Sequence, residues 1–369
     1  MIDTVVLLIP KKMVQFADSW DLYSKTSSYE KYVRNASSQE KANGDYFPRL
    51  SGYKRKGFYI EDTIRIEFSV PKILYKNNLK ELQENDFESV INTLKDRLDT
   101  MGAIIDTDTL GRASVSTVHF AKNIPLSSGY SSRMLIGEMQ KVNTSKQLDV
   151  SRAKYTNYGE TFYIHASSYE FVIYDKIADI QKSQKRSVDT DQTAYQMNML
   201  DGSDPRGPHS EVIRFEVRLN KKTKLNKILE KLWYEKNPHF EDLFDEKMSI
   251  EVINHFWSQH IKSKSLGIFD ISSKPKEILR TLLLSDRWST PKQTIYEYGL
   301  FALARDEGGI RELRSLLEKQ GTPRTWYRIA RDIETVNKKI SQWIQHNWLT
   351  IIDQNLQSYK PFEYEIMEV

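Results

Sequence analysis

Alternating apolar and polar positions along the first two-thirds of the chain predict the strands of a sheet. In the segment 63–70, Ile64, Ile66, Phe68 and Val70 are each separated by one polar residue. A strand with this period of two buries one face and exposes the other to solvent. Further strands are predicted at 5–9, 113–120, 160–165, 169–174 and 212–219.

A period of 3.6 residues predicts helices between and after these strands. Val90, Leu94 and Leu98 form one apolar stripe, with Asn85 as the expected N-cap and Gly102 as the residue that ends the helix. Further on, helical periods replace the alternating pattern. They predict helices at 248–261, 275–284, 292–304, 310–319 and 325–347.

The order of these elements predicts an α+β fold in two domains. We expect a mainly antiparallel sheet domain with flanking helices over residues 1–236, and an all-helical C-terminal domain over residues 237–369. A polar segment at 181–210, rich in Asp, Gly and Pro, is expected to be a long insertion in the sheet domain. The length of 369 residues exceeds the size at which one core usually stops growing, and this also favours two domains.

Composition narrows the possible chemistry mainly by exclusion. The chain has no cysteine, which excludes disulfides, iron–sulfur clusters, thiolate zinc sites and cysteine nucleophiles, and which suits a reducing cytoplasm. No apolar run is long enough for a membrane span, so we expect a cytoplasmic protein. A net charge of +4 permits nucleic-acid binding. The motifs of P-loop ATPases, dinucleotide-binding enzymes, zincins and α/β-hydrolases are absent.

Three predicted strands each place one metal-competent side chain opposite their apolar face: Glu67, His119 and Glu216. Two carboxylates and an imidazole could hold a hard divalent cation such as Mg²⁺ or Mn²⁺. Solvated strand side chains give the same alternation, and Glu216 between Arg214 and Arg218 could simply be ion-paired. The pattern therefore indicates a candidate metal site without excluding these alternatives.

Tyr174 ends a predicted strand, and Lys176 follows two residues later. A phenol has a pKa near 10, so it attacks at neutral pH only with help from a nearby cation or a metal-polarised phosphate. The pair is therefore a candidate nucleophile with an electrostatic partner. The alternative is a packing residue, because the chain contains 20 tyrosines.

The segment 309–333 has the pattern of a helix-turn-helix unit. Thr322 is the expected N-cap of its second helix and Pro323 the first helical residue. That helix would present three arginines as phosphate or groove contacts, whereas an ordinary helical hairpin with a solvated basic face is the alternative. The arginines are Arg324, Arg328 and Arg331.

Six segments follow one another along residues 1–235. They are MIDTVVLLIP (1–10), PRLSGY (48–53), IEFSVPKIL (66–74), VHF (118–120), YDK (174–176) and RFEVR (214–218). In this order they resemble the gene II replication initiators of filamentous bacteriophages and their prophage and plasmid-like relatives. The helical remainder resembles the gene X region, which in that family is the C-terminal part of the same reading frame.

The resemblance implies an endonuclease that nicks one strand of double-stranded origin DNA. A tyrosine becomes linked to the 5′-phosphate, and the enzyme later rejoins the displaced strand. Tyr174 and Lys176 match the Tyr-x-Lys of the family. Glu67, His119 and Glu216 are the implied metal-site candidates, with Mg²⁺ or Mn²⁺ as the cofactor.

The implied function is the initiation of rolling-circle replication, with a host helicase and polymerase as partners and no membrane. The wider rolling-circle class often carries a His-hydrophobic-His pair, and this chain has Ala121 in place of the second His. The competing hypothesis is a non-catalytic DNA-binding regulator of replication or transcription. In that case the helix-turn-helix makes the functional contacts, and the sheet domain dimerises or pairs with a partner.

Overall fold

The structure is a computed structural model that describes most of the chain. Two compact units make it up: Met1–Pro125, His165–Ile253 and Tyr359–Val369 form the first, and Leu126–Ile164 and Asn254–Ser358 form the second. The predicted division at 236/237 stays a prediction. The described residues are 1–16, 21–25, 29–55, 62–126, 130–140, 153–156, 161–181, 211–262, 275–285, 290–306, 308–320, 323–341, 347–358 and 360–362.

Antiparallel strands form the sheet of the first unit. The described strands are β1 (Ile2–Pro10), β2 (Gln15–Phe16), β3 (Asp21–Lys25), β4 (Tyr29–Arg34), β5 (Arg49–Arg55), β6 (Thr63–Ser69), β7 (Ala103–Ile104), β8 (Ser114–Pro125), β9 (Ala153–Thr156), β10 (Thr161–His165), β11 (Tyr169–Asp175) and β12 (Val212–Leu219). Within the first unit, eight strands follow the order β3-β4-β5-β6-β1-β8-β12-β11, each antiparallel to its neighbours. β2 pairs with β7, and β9 pairs with β10.

Helices alternate with the strands along the first unit, and they make up most of the described part of the second unit. They are α1 (Val70–Tyr75), α2 (Phe87–Thr100), α3 (Thr107–Gly111), α4 (Ser132–Gln140), α5 (Lys176–Gln181), α6 (Lys222–Lys231), α7 (Glu246–His260), α8 (Pro275–Ser285), α9 (Pro291–Arg305), α10 (Gly309–Gln320), α11 (Pro323–Ser341) and α12 (Asn347–Gln357). Among the described helices, none combines the length and apolarity that a membrane crossing requires. The mixture of helices and antiparallel sheet confirms the predicted α+β class.

The start of α2 differs from the sequence prediction. A 3₁₀ turn, Glu84–Asp86, precedes the helix, and its capping box is formed by Gln83 and Asp86. The Gln83 backbone N–H donates to the Asp86 carboxylate at 2.8 Å. The N-cap of α2 itself is Asp86, so the prediction of Asn85 is wrong by one position. The end of the helix is as predicted, because Gly102 has a φ of +75°, which favours glycine.

The apolar face of the sheet forms the core of the first unit. Phe68 on β6 is fully buried and meets Phe240 edge to face, with ring centroids 5.7 Å apart. Phe240 in turn contacts Phe87 at the start of α2, at 6.0 Å. The alternation predicted for β6 therefore buries this face, and the opposite face carries most of the polar strand side chains, with apolar residues such as Val6 and Val172 among them.

Four helices, α8 to α11, share the apolar core of the second unit. Its buried side chains are Ile278, Leu282, Leu300, Phe301, Ala304, Ile310, Leu313, Trp326, Ile333, Val336 and Ile340. Pro323 begins α11 as predicted, whereas the expected N-cap Thr322 and the insertion 182–210 lie outside the described residues. The predicted helix 325–347 corresponds to two elements, because α11 ends at Ser341 and α12 begins at Asn347.

Candidate functional site

Strand register places the predicted site residues on one face of the sheet. Residues directly opposite each other in an antiparallel pair point to the same face. Glu67 on β6 lies opposite Val6, and Val6 lies opposite Thr117 on β8. His119, two residues further along β8, therefore shares the face of Glu67, and Arg218 lies opposite His119 on β12.

The same polar face continues onto β12 and β11. Glu216 lies opposite Ala121 on one side and Val172 on the other. Arg214 lies opposite Tyr174 at the end of β11. The predicted metal ligands and the predicted nucleophile thus share one face of the sheet, which is the arrangement that their chemistry requires.

Asp3, His119 and Glu216 form a compact group on this face, which we call the acid–histidine cluster. One ligand atom from each residue lies within 4.8 Å of the others. The His119 Nδ1 atom is 3.3 Å from a carboxylate oxygen of Glu216. The three side chains come from β1, β8 and β12, which are adjacent strands, so the order of strands in the sheet assembles the cluster.

Glu67 does not belong to the cluster, and the prediction of its convergence with His119 and Glu216 is corrected by the structure. β6 is separated from β8 by β1, a distance of about 10 Å across the sheet. The Glu67 carboxylate lies 3.3 Å from the Arg65 guanidinium instead. Asp3 takes the place that Glu67 was expected to fill.

Sequence reasoning missed Asp3 because its strand is irregular. The register between β1 and β8 shifts between Ile2 and Val5, so simple alternation does not give the direction of the Asp3 side chain. The available signal was one acidic residue directly before a buried apolar strand. That signal alone does not distinguish a ligand from a charged flanking residue.

Glu216 is the most heavily contacted member of the cluster. Arg218 donates to both of its oxygens, at 2.9 and 3.3 Å, and the Arg214 Nε atom lies 3.9 Å away. Burial alone would raise the pKa of Glu216. The nearby Arg218, His119 and Arg214 outweigh burial and hold the pKa of Glu216 well below its usual range, so the side chain is a carboxylate at neutral pH.

Tyr174 donates a hydrogen bond from its hydroxyl to Glu216 at 3.2 Å. The side chain is buried. Burial and the negative charge of Glu216 raise the pKa of Tyr174 well above its usual value, and Arg214 opposes them only in part. In this state the phenol keeps its proton, and a positive charge in the cluster would favour its ionisation.

Lys176 is brought next to Tyr174 by the change from strand to helix. β11 ends at Asp175 and α5 begins at Lys176, which puts the ammonium 5.7 Å from the centroid of the Tyr174 ring. The Lys176 ammonium is buried and lies 3.5 Å from Asp179. Burial, and then the positive charge of Arg214, lower the pKa of Lys176 to about 8.

The acid–histidine cluster fits a hard divalent cation. The buried Asp3 Oδ1 atom accepts no hydrogen bond from the described residues, although it lies 2.9 Å from the Arg214 guanidinium. Two carboxylates and one imidazole make a donor set suited to Mg²⁺ or Mn²⁺. In the structure, Arg214 and Arg218 supply the positive charge that balances Asp3 and Glu216.

The three predicted DNA-contacting arginines lie on α11. Arg324, Arg328 and Arg331 are all exposed, and their spacing puts them on one face of the helix. Trp326 of the same helix is buried in the core of the second unit. The geometry therefore leaves the arginine side chains accessible, and their contact with DNA stays a prediction.

Comparison with known proteins adds no relative. No protein-family model, curated protein or solved structure matches this chain. The resemblance to the gene II initiators therefore stays an expectation from ordered motifs. Support for a function that does not depend on this resemblance comes from the geometry of the polar sheet face.

Proposed function

We propose that the protein is a metal-dependent, site-specific endonuclease and strand transferase that initiates rolling-circle DNA replication. The observation that supports this most is the contact between the Tyr174 hydroxyl and Glu216, a member of the acid–histidine cluster, at 3.2 Å. A nucleophilic side chain beside a candidate divalent-cation site is the basic requirement for tyrosine transesterification.

Asp3, His119 and Glu216 would hold the cation. Bound there, Mg²⁺ or Mn²⁺ would polarise the scissile phosphate and stabilise an ionised phenol. Glu216 is ionised at neutral pH because of its low pKa, so it is in the correct form for this role. Its hydrogen bond also fixes the orientation of the Tyr174 hydroxyl.

The chemical step exchanges one phosphodiester for another. The Tyr174 oxygen attacks phosphorus, a bond forms between phosphorus and that oxygen, and the bond from phosphorus to the 3′-oxygen breaks. The phenolic proton passes to solvent, and the released 3′-oxygen takes up a proton from solvent. Lys176, 5.7 Å from the Tyr174 ring, stabilises the negative charge that develops on the phenol oxygen.

The phosphotyrosine retains the energy of the broken bond, so the reverse reaction rejoins the strand. The new 3′-hydroxyl would prime a host polymerase, with a host helicase displacing the strand. Arg324, Arg328 and Arg331 would contact the origin duplex through its phosphates.

The test is covalent capture of DNA. The protein is incubated with Mn²⁺ and single-stranded oligonucleotides of randomised sequence, and any adduct that survives denaturation is sequenced. We expect one preferred sequence in the adduct and no adduct in EDTA. The preferred sequence, cloned into a supercoiled plasmid, should convert that plasmid to the open-circular form.

Replacing Tyr174 by Phe identifies the nucleophile. The change removes one oxygen, so we expect the fold and DNA binding to persist while both nicking and the covalent adduct disappear. Tyr163→Phe is the matched control and should retain both activities. If Tyr174→Phe still forms the adduct and Tyr163→Phe does not, the assignment of the nucleophile is wrong, although the reaction class stands.

A non-catalytic regulator is the second candidate, favoured by the exposed arginines of α11, because they need no chemistry to contact DNA. Covalent capture separates the two. Under the regulator hypothesis, the protein binds oligonucleotides but no adduct survives denaturation with or without Mn²⁺, and a supercoiled plasmid incubated with the protein stays supercoiled.

A further inference from the structure

One side of α9, centred on Gly299, is largely exposed to solvent, and at its edge the Tyr296 hydroxyl donates to Asp332 of α11 at 2.9 Å. At about 100° per residue, seven positions lie within roughly 60° of the direction of Gly299. Gly299 is half-buried and the other six are exposed, including two large apolar residues, Ile295 (66% exposed) and Leu303 (52% exposed). We call these seven positions, of which Asp306 is the C-cap residue directly after α9, the α9 seam: Lys292, Ile295, Tyr296, Gly299, Ala302, Leu303 and Asp306.

We propose that a second copy of this chain docks on the α9 seam, with the two helices antiparallel about a two-fold axis at Gly299. In such a contact, residues equally far before and after Gly299 lie opposite each other. Ile295 and Leu303, each four positions from Gly299, then form an apolar pair on either side of the axis. Tyr296 and Ala302, each three positions away, pair a large side chain with a small one.

The charges at the ends of the seam select this orientation. Lys292 precedes Gly299 by seven positions, and Asp306 follows it by seven. In an antiparallel dimer, each Lys292 therefore meets Asp306 of the second copy, and this happens twice by symmetry. A parallel arrangement would instead place like charges together, which is destabilising.

Gly299 lets the two helices approach closely. Apart from the backbone of α9 itself and the two neighbouring residues, no atom of the described residues lies within 4 Å of the position that a Cβ atom would occupy there. A side chain at this point would stand on the axis and hold the two backbones apart. The seam is one helix wide, smaller than the roughly 800 Å² per partner of a standard interface, so we expect a weak and reversible dimer.

A single cysteine tests the axis. The chain has no cysteine, so Gly299→Cys carries one thiol per molecule, and the axis brings two such thiols together. Gly137→Cys on α4 is the matched control, because Gly137 is also a half-buried helical glycine with nothing within 4 Å of an added Cβ. Under mild oxidation at micromolar protein, we expect a disulfide-linked dimer from Gly299→Cys and mainly monomer from Gly137→Cys. Equal yields from the two variants would overturn the proposal.

A charge exchange in the Gly299→Cys background tests the orientation. Lys292→Asp and Asp306→Lys should each lower the dimer yield by roughly fivefold, because each change replaces two attractive exposed pairs by repulsive ones. The double variant restores opposite charges at both ends and should recover the original yield. A double variant that stays as low as the single variants contradicts antiparallel pairing. Circular dichroism of all the variants confirms that they remain folded.

Discussion

Lys176 is a buried ammonium at the end of β11, and its environment links stability to pH. Burial and Arg214 lower its pKa to about 8, below the usual value of about 10.4 for lysine. Between these two values the unfolded chain binds more protons than the folded one. Stability should therefore rise with pH across this window, and the folded state bears the cost of the buried charge below pH 8.

We accordingly expect Lys176→Met to raise the free energy of unfolding at pH 7 by up to about 3 kcal/mol. The increase in stability that the wild type shows between pH 8 and pH 10 should be absent from this variant. Urea unfolding of both proteins at several pH values measures this difference. Lys247→Met is the control, because the Lys247 side chain is exposed. Parallel stability curves for wild type and Lys176→Met would show that the ammonium is well solvated.

Arg218 occupies both oxygens of Glu216, so it competes with a cation for the same ligand. We expect Arg218→Gln to bind Mn²⁺ roughly tenfold more tightly, since a charge-assisted contact no longer has to be displaced. Isothermal titration calorimetry measures the affinity without requiring activity. Arg65→Gln, which in the described part of the chain removes the pair with Glu67 outside the cluster, should leave the affinity unchanged. Weaker binding by Arg218→Gln would mean that Arg218 orients Glu216 for the cation.

The sequence predicts the individual strands and helices better than it predicts which strands lie side by side in the sheet. Alternation located β6 and β12, and the same alternation put His119 and Glu216 on polar strand faces. It could not show that β1 lies between β6 and β8, because that order depends on pairing between distant segments. This explains the exchange of Glu67 for Asp3 in the cluster.

α11 is the element on which DNA affinity should depend. Replacing Arg324, Arg328 and Arg331 by Ala should weaken duplex binding and lower its salt slope by about 0.9 for each phosphate that the protein no longer neutralises. Fluorescence anisotropy at several salt concentrations gives the slope. Lys276→Ala with Arg280→Ala on α8 removes exposed charge from the same unit and should change the slope less. An unchanged slope in the triple variant would place the arginines away from the phosphates.

At the scale of the whole molecule, the two compact units alternate along the chain, and the predicted division at 236/237 stays a prediction beside them. α4, β9 and most of β10 belong with the later helices. A scan for composition and period detects where strands give way to helices. It does not detect a short excursion into the other unit, because membership of a unit depends on contacts between distant segments and not on local pattern.

The spacing of the acid–histidine cluster along the chain bears on when the site comes into being during synthesis. Asp3 is made before His119, which follows more than a hundred residues later along the chain. Glu216 comes later still, with β12, the strand that pairs with both β8 and β11. A chain that ends before β12 lacks part of the acid–histidine cluster. If the protein cuts DNA as we propose, a nascent chain therefore lacks the complete site until this strand has been made.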